Sequence, residues 1–334
     1  IYCYTVGMFD LISVGDATID NFVFIHDAEV KCNLDKSACM LCIEYGDKIA
    51  VDKLVHLVAG NAANNAVGGA RLKLESAIYV NCGSDPAGRQ IKDKLKEEGV
   101  DTRYVIINEG MESNLSTVIN FQGERTILVY HQAWKYKLPD LDKSRWVYFT
   151  SVSSSFTNSN LLKELENYIE RTGAKLLYNP GTYQMKAGIK KNPRLLSLTE
   201  AFIVNLEESK RILGHKDEDD IVIKKLLKGL SDLGPRMVII TDGEEGSYGF
   251  DGQNYYHLGI FPAHLLEMTG AGDGYATGVL AGLSYGKDLK EAMRWGAANG
   301  ASVVEEIGPQ AGLLTYNQMQ EKLKANSKIV AKEI

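Results

Sequence analysis

Nowhere does the chain carry the roughly 20 consecutive apolar residues that a membrane-crossing helix needs, so no membrane partner is expected. Positive charge is also in short supply. Lys and Arg number 37 against 43 Asp and Glu, a net charge of -6. Nucleic acid, which usually calls for a basic face, is therefore not an expected partner, although a locally basic pocket for a phosphorylated ligand stays compatible with this balance. Cysteine is sparse and odd in number: Cys3, Cys32, Cys39, Cys42 and Cys82. Such a set in a long chain argues against a disulfide framework and for a reducing compartment. Cys39 and Cys42 form a CxxC with Cys32 nearby, but zinc would want a second pair or well-spaced histidines, and His26 and His56 are poorly placed. Ile1 to Asp10 lack the basic and apolar stretches of a secretion signal, and a cytoplasmic protein is expected. Internal repeats, low-complexity tracts and Pro/Ser-rich linkers are missing too.

What is present is a chain of 334 residues, 45% hydrophobic and 24% charged, enough to bury a sizeable core. Short apolar runs read as strands: Phe9–Val14, Ser76–Cys82, Trp146–Thr150, Ala174–Tyr178, Ala201–Val204 and Met237–Thr241. Helical stretches alternate with them at Pro86–Glu98, Asn158–Arg171, Asp217–Asp232 and Lys287–Val303. That alternation predicts an α/β fold with a mostly parallel central sheet covered by helices on both faces. Asp20–Ile49 and Arg103–Ala133 instead alternate polar and apolar residues, as half-exposed antiparallel strands do. Leu115–Phe121, the turn Gln122-Gly123-Glu124-Arg125 and Thr126–Tyr130 read as a hairpin. The expected division is a catalytic α/β domain of residues 1–15, 50–102 and 136–334, with residues 16–49 and 103–135 forming a small β lid.

Two glycine-rich segments stand out. Leu266–Leu283 reads LEMTGAGDGYATGVLAGL. Its glycines permit a tight turn into a helix whose free N–H groups suit an anion. Asp273 sits where a carboxylate could take a proton from an attacking hydroxyl. The plainer reading is a helix N-cap after a glycine turn. No Gly-Lys-Ser/Thr follows, so it is not a Walker loop, and Tyr275 stands where GxGxxG would place its third glycine. Val58–Leu72 reads VAGNAANNAVGGARL and brings Asn61, Asn64 and Asn65 to the start of another helix, where amides can cap it or bind sugar hydroxyls.

Together these segments resemble the two signatures of the ribokinase-like (PfkB) carbohydrate kinases. Gly60–Asn64 resembles the family's GGxxxN and Thr269–Asp273 its DTTGAGD. Gly83–Thr102 resembles its GxDxxGxxxxxxLxxxGVDT segment, and Gly123–Thr126 its lid turn. Asn205–Glu208 matches its NxxE, and Thr241–Gly246 resembles its T-x-G-x-x-G. The order and spacing agree from about Phe9 to about Leu323. The resemblance implies a ribokinase-like fold and ATP-dependent phosphoryl transfer with Mg2+. Asp273 would be the base, and Gly270, Ala271 and Gly272 would offer N–H groups to the transferring phosphoryl. Asn205 and Glu208 would order magnesium and water, with a strand end and helix cap as the alternative. Thr241, Gly243 and Gly246 would line the nucleotide cleft, and Asn299 would lie against the adenosine. Asp16, Asp20, Gly60, Asn61 and Asn64 would hold the acceptor. The family's first aspartate is here Glu267 and its central Thr is Met268, so Glu267 and Thr269 mark a candidate K+ site.

The expected acceptor is an unphosphorylated sugar, with a nucleoside second. Tyr130, His131, Trp134 and Tyr136 offer either an aromatic platform for a base or packing between lid and core. A phosphorylated sugar would call on Arg103, Arg125 and Lys135. A catalytically silent binding protein on the same scaffold and a Rossmann dehydrogenase are the rival classes. The latter lacks a glycine fingerprint after Val14. Exposed lid edges would be covered by a second lid, which predicts a homodimer.

Overall fold

The computed structural model describes residues 8–33, 39–122, 124–217 and 219–334. Cys3, Gly123 of the expected hairpin turn and residues 1–7, where a signal was sought, lie outside them. In chain order the strands are β1 (Phe9–Val14), β2 (Thr18–Phe24), β3 (Glu29–Cys32), β4 (Cys39–Cys42), β5 (Lys53–Ala59), β6 (Ser76–Gly83), β7 (Val105–Asn108), β8 (Leu115–Phe121), β9 (Glu124–Tyr130), β10 (Ser144–Phe149), β11 (Lys175–Tyr178), β12 (Thr199–Asn205), β13 (Met237–Thr241), β14 (Ser247–Phe250), β15 (Tyr255–Leu258) and β16 (Lys332–Glu333). The helices are α1 (Asn61–Arg71), α2 (Pro86–Glu97), α3 (Leu161–Thr172), α4 (Thr182–Ala187), α5 (Pro193–Ser197), α6 (Leu206–Leu213), α7 (Ile223–Ser231), α8 (Ala271–Ser284), α9 (Leu289–Val303) and α10 (Tyr316–Ala325).

The large sheet runs in the order β16-β15-β14-β13-β12-β11-β10-β1-β6-β7. It is parallel from β7 to β13 and antiparallel from β13 outward to β16. Its strands are apolar on both faces because helices cover both. In β10, Val147 and Phe149 turn to the face packed by α3, α5 and α7, while Trp146 and Tyr148 turn to the face packed by α8, α9 and α10. A smaller buried cluster joins α1 and α2 to β6.

A second sheet has the order β5-β2-β8-β9. As expected, its two separated segments meet, with β2 beside β8 and β8 turning into β9. Two segments differ from the expected division. Lys53–Ala59 pairs with β2 as an edge of the small sheet, although residues 50–102 were assigned to the catalytic domain. Val105–Asn108 pairs with β6 in the large sheet, although residues 103–135 were assigned to the lid. Both misplacements have one cause. Strand pairing is a long-range choice, and a local alternation of polar and apolar residues does not say which sheet a strand joins.

The cysteines also depart from expectation. Cys32 and Cys39 face each other across the β3–β4 ribbon and are joined in a disulfide. The odd cysteine count argued against a disulfide framework; it does not exclude one local bridge between register partners. Cys42 and Cys82 are free thiols.

The deepest helix pair is α8 against α9. A Cβ on Gly278 would stand 2.3 Å from the Trp295 carbonyl oxygen, and one on Gly282 would stand 2.9 Å from the Ala292 Cα. Glycine here lets two backbones touch, and the obstructing atoms are main chain that cannot rotate away. Gly278→Ala is expected to cost roughly 1–3 kcal/mol, as overpacking does. Thermal melting reads it as a fall of several degrees; an unchanged midpoint would mean that the helices separate freely.

Candidate active site

The site forms where the starts of α1 and α8 meet beside the carboxyl ends of the parallel strands, the usual place for a ligand in such sheets. The loop from β1 carries Asp16, and β5 leads into Gly60, the residue before α1. Gly60 has φ +101°, and a Cβ on it would lie 2.6 Å from the Ala17 Cα and 2.7 Å from the Asp16 carbonyl oxygen. Only glycine allows both that backbone angle and that contact. The Ala62 N–H then donates to the Asp16 carbonyl at 3.3 Å, which ties the first turn of α1 to the loop.

Asp273 lies in the first turn of α8 and is buried. Asn61 Nδ2 donates to its Oδ1 at 2.8 Å, and Asn64 Nδ2 donates to its Oδ2 at 2.7 Å. One helix turn separates these two asparagines, so both amides reach the same carboxylate. Burial pushes the Asp273 carboxyl above its ordinary range, and the two amides offset part of that rise. Asn65 faces away from Asp273, donating to Thr277 Oγ1 and accepting from Ser13 Oγ. The sequence assigned Asn61 and Asn64 to the acceptor; the structure instead engages both with the carboxylate.

Gly270 caps α8 with φ +86° and packs on Pro309, where a Cβ would be 2.3 Å from the proline ring. A Cβ on Gly272 would meet open space. The three expected N–H donors are not equivalent. Ala271 N–H donates to the Met268 carbonyl at 3.2 Å, which leaves Gly272 and Asp273 as the first-turn amides pointing outward from the helix start. Glu267 is buried and holds the loop: its Oε1 accepts from the Thr269 N–H at 2.9 Å and the Thr269 hydroxyl at 2.6 Å. Its Oε2 is buried without a partner.

Asp16 and Asp20 are both buried, and each has one oxygen, Oδ2 and Oδ1 respectively, without a partner. Tyr136 donates its hydroxyl to Asp16 Oδ1 at 3.0 Å. Burial outweighs that bond and pushes the Asp16 carboxyl up to about 7. Asp20 is pushed up to about 6, chiefly by burial, with the Ser116 hydroxyl opposing and the charges of Asp273 and Glu267 adding to the rise. His131 Nδ1, also buried and unpartnered, stands 3.8 Å from Asp16 Oδ2. Such orphaned polar atoms are costly in a closed core and suit a hydroxylated ligand.

The remaining expected residues divide. Asn205 and Thr241 are register partners at the ends of β12 and β13. Asn205 and Glu208 form a reciprocal cap on α6, with Glu208 N–H on Asn205 Oδ1 at 2.8 Å and Asn205 N–H on Glu208 Oε2 at 2.9 Å. Burial raises the Glu208 carboxyl, and the Asn205 N–H partly counters it. Gly243 and Gly246 take positive φ in the following turn, and a Cβ on Gly246 would collide with the Leu258 carbonyl. Asn299 does not present its amide to a ligand. It is fully buried, donating to the Gly274 carbonyl and accepting from the Leu314 N–H. Trp134 and Tyr136 belong to the core, and Arg103 is committed to Asp101 and Asp142. Gln310 contacts Asn64 directly but nothing local in its stretch marks it, while Tyr136, considered as a platform or as packing, turns out to donate to Asp16.

A family model for pfkB family carbohydrate kinases matches residues 20–315. The 5-dehydro-2-deoxygluconokinase of Shouchella clausii is 26% identical, with 93% of this chain and 94% of that protein aligned. Among solved structures, Arabidopsis thaliana ribokinase complexed with ribose and ATP superposes at TM-score 0.78 and 21% identity, covering 95% of this chain and 99% of that one. The nucleoside kinase of Methanocaldococcus jannaschii gives 0.75 at 19% identity, covering 96% and 100%. Both structural likenesses speak for the ribokinase-like fold. Because the family model spans nearly the whole chain, and the fold and the signature loops agree with it, the chain belongs to the pfkB family of carbohydrate kinases.

Proposed function

We propose that this protein transfers the γ-phosphoryl group of ATP to a hydroxyl of an uncharged sugar, with Asp273 as the base. The observation that carries the reading is one carboxylate, gripped by two amides, at a helix start that also offers outward N–H groups. Asp273 takes the acceptor proton as the oxygen attacks phosphorus. The Gly272 N–H and the helix dipole stabilise charge on the transferring phosphoryl. Thr241, Gly243 and Gly246 border the nucleotide.

Bound magnesium would supply positive charge against the phosphates. Asn205 and Glu208 are the residues that would hold its waters. The fit is indirect, since their cap engages one Glu208 oxygen, Oε2, and no group of three or more His, Cys, Asp or Glu that could hold a metal ion occurs among the described residues. A monovalent cation fits Glu267 better, because the unpartnered Oε2 of that buried side chain lacks a counter-charge.

The acceptor follows from Asp16 and Asp20. Two carboxylates with open oxygens welcome donated hydroxyls and repel an anionic group. A nucleoside is disfavoured because Trp134 and Tyr136 are packed in the core rather than offered as a platform. The small sheet acts as the lid that excludes water. Its edge strand β9 exposes Ile127, Leu128, Val129 and Tyr130. A second lid covering that edge makes the protein a homodimer. No helix among the described residues is long and apolar enough to cross a membrane, and the cytoplasm, where ATP is supplied, is the proposed setting.

Phosphorylation of a panel of sugars, nucleosides, sugar phosphates and 5-dehydro-2-deoxygluconate tests the reading. A neutral sugar is expected to be the best acceptor, and Asp273→Asn is expected to bind ATP yet lose at least ~10²-fold in turnover. Turnover of the variant near that of the native protein, or preference for an anionic acceptor, counts against it. Sedimentation at working concentration is expected to show a dimer; a strict monomer removes the lid contact.

The raised Asp16 carboxyl predicts a pH signature. Its folded pKa of about 7 lies above the ordinary 3.8, so ionisation opposes folding, and stability falls as pH rises from about 4 to about 7. Asp16→Asn is expected to stabilise the ligand-free protein at pH 8 by on the order of a few kcal/mol, read as a higher melting temperature, with a smaller gain at pH 5. Equal melting of both proteins at pH 8 would show that the carboxylate is not desolvated.

A further inference from the structure

Asn64 can grip Asp273 only in one of its two amide orientations. With Nδ2 toward the carboxylate it donates; turned over, it would set its own oxygen against Oδ2 and repel it. Nothing within α1 fixes that choice, because the side chain leaves the helix toward α8. Gln310 fixes it from the other side. Its Nε2 donates to Asn64 Oδ1 at 3.1 Å, which is compatible only with the donating orientation toward Asp273. Both amides are buried, so no water competes for these bonds.

Gln310 is itself held. It follows Pro309, which packs on Gly270. Its carbonyl accepts from Arg71 Nη1 at 2.6 Å, and the same guanidinium reaches the Leu313 carbonyl at 3.1 Å. Arg71 is fixed by a two-pronged contact with Glu98, at 2.8 Å on each oxygen, and Lys94 adds a third bond to that carboxylate. A continuous line therefore runs from the Lys94–Glu98–Arg71 cluster on α1 and α2 through Gln310 and Asn64 to Asp273.

We infer that Gln310 is a positioning residue for the base: by donating to Asn64 it locks the amide that orients Asp273 and keeps its carboxyl ionisable. This rests on Asp273 being the base. It assigns a duty to a residue outside both glycine-rich loops, on the segment between α9 and α10. Gln310→Met keeps the volume and removes the donor. Gln310→Glu keeps the shape and, when ionised, accepts where the amide donated, which turns Asn64 over. In either variant the Asn64 bond to Asp273 weakens, and the Asp273 carboxyl moves further up.

The test is titration of the full-length ligand-free protein labelled with 13C at aspartate carboxyls, the Asp273 signal being identified by its loss in Asp273→Asn. Gln310→Met is expected to raise the Asp273 midpoint by roughly 0.5–1 pH unit, about what loss of one buried hydrogen bond implies. Gln310→Glu should raise it at least as far. The rise in Gln310→Met should vanish in an Asn64→Ala background, because the amide acts only through Asn64. An unmoved midpoint in both folded variants, or equal rises with and without Asn64, overturns the inference. Turnover of Asp273→Asn decides the base assignment separately, since the titration reads the carboxyl whether or not it is catalytic.

Discussion

The structure depends on one buried carboxylate being made tolerable. Asp273 sits in a region where water cannot solvate it, and an uncompensated charge there would either take up a proton or open the fold. The two asparagine amides of α1 are the compensation, and they explain why the two glycine-rich segments must meet. Their meeting in turn requires α1 to lie close on α8. Gly68 allows it: a Cβ there would be 2.6 Å from the Thr277 methyl. Glycine appears in this region wherever two backbones or a backbone and a side chain must come closer than a Cβ permits.

The proposed acceptor side has the opposite character. Asp16 and Asp20 are buried with oxygens left open, and both carboxyls are pushed up toward neutrality as a result. Where Asp273 has its bonds made in advance, these two wait for a ligand to make theirs. Under the proposed reading this arrangement favours binding at the expense of the empty protein, since an acceptor's hydroxyls would complete the open oxygens.

Much of this was legible in the residues. Six strands of the large sheet, β1, β6 and β10 to β13, announced themselves because both faces are buried, leaving continuous apolar runs such as Met237–Thr241. The loop Thr269–Asp273 and the run Gly60–Asn64 were legible as helix starts because glycine permits the tight turn into the helix. What stayed hidden was long-range. Lys53–Ala59 fell within the expected catalytic domain, and only the fold shows it pairing in the small sheet. Asn61 and Asn64 are amides able to meet a sugar or a carboxylate, and the sequence does not show α8 opposite them. Asn299 resembled a ligand contact by its position, yet its amide ties three backbone segments together. Cys32 and Cys39 needed the β3–β4 register before their pairing could be seen.

The contact of Gly60 with Asp16 and Ala17 has a consequence for redesign. The loop proposed to hold the acceptor and the helix that grips the Asp273 carboxylate share one van der Waals surface, with no side chain between them to absorb a change. Altering the backbone at residues 16–18 to admit a different acceptor would tilt the first turn of α1, and both amides would move off Asp273 together.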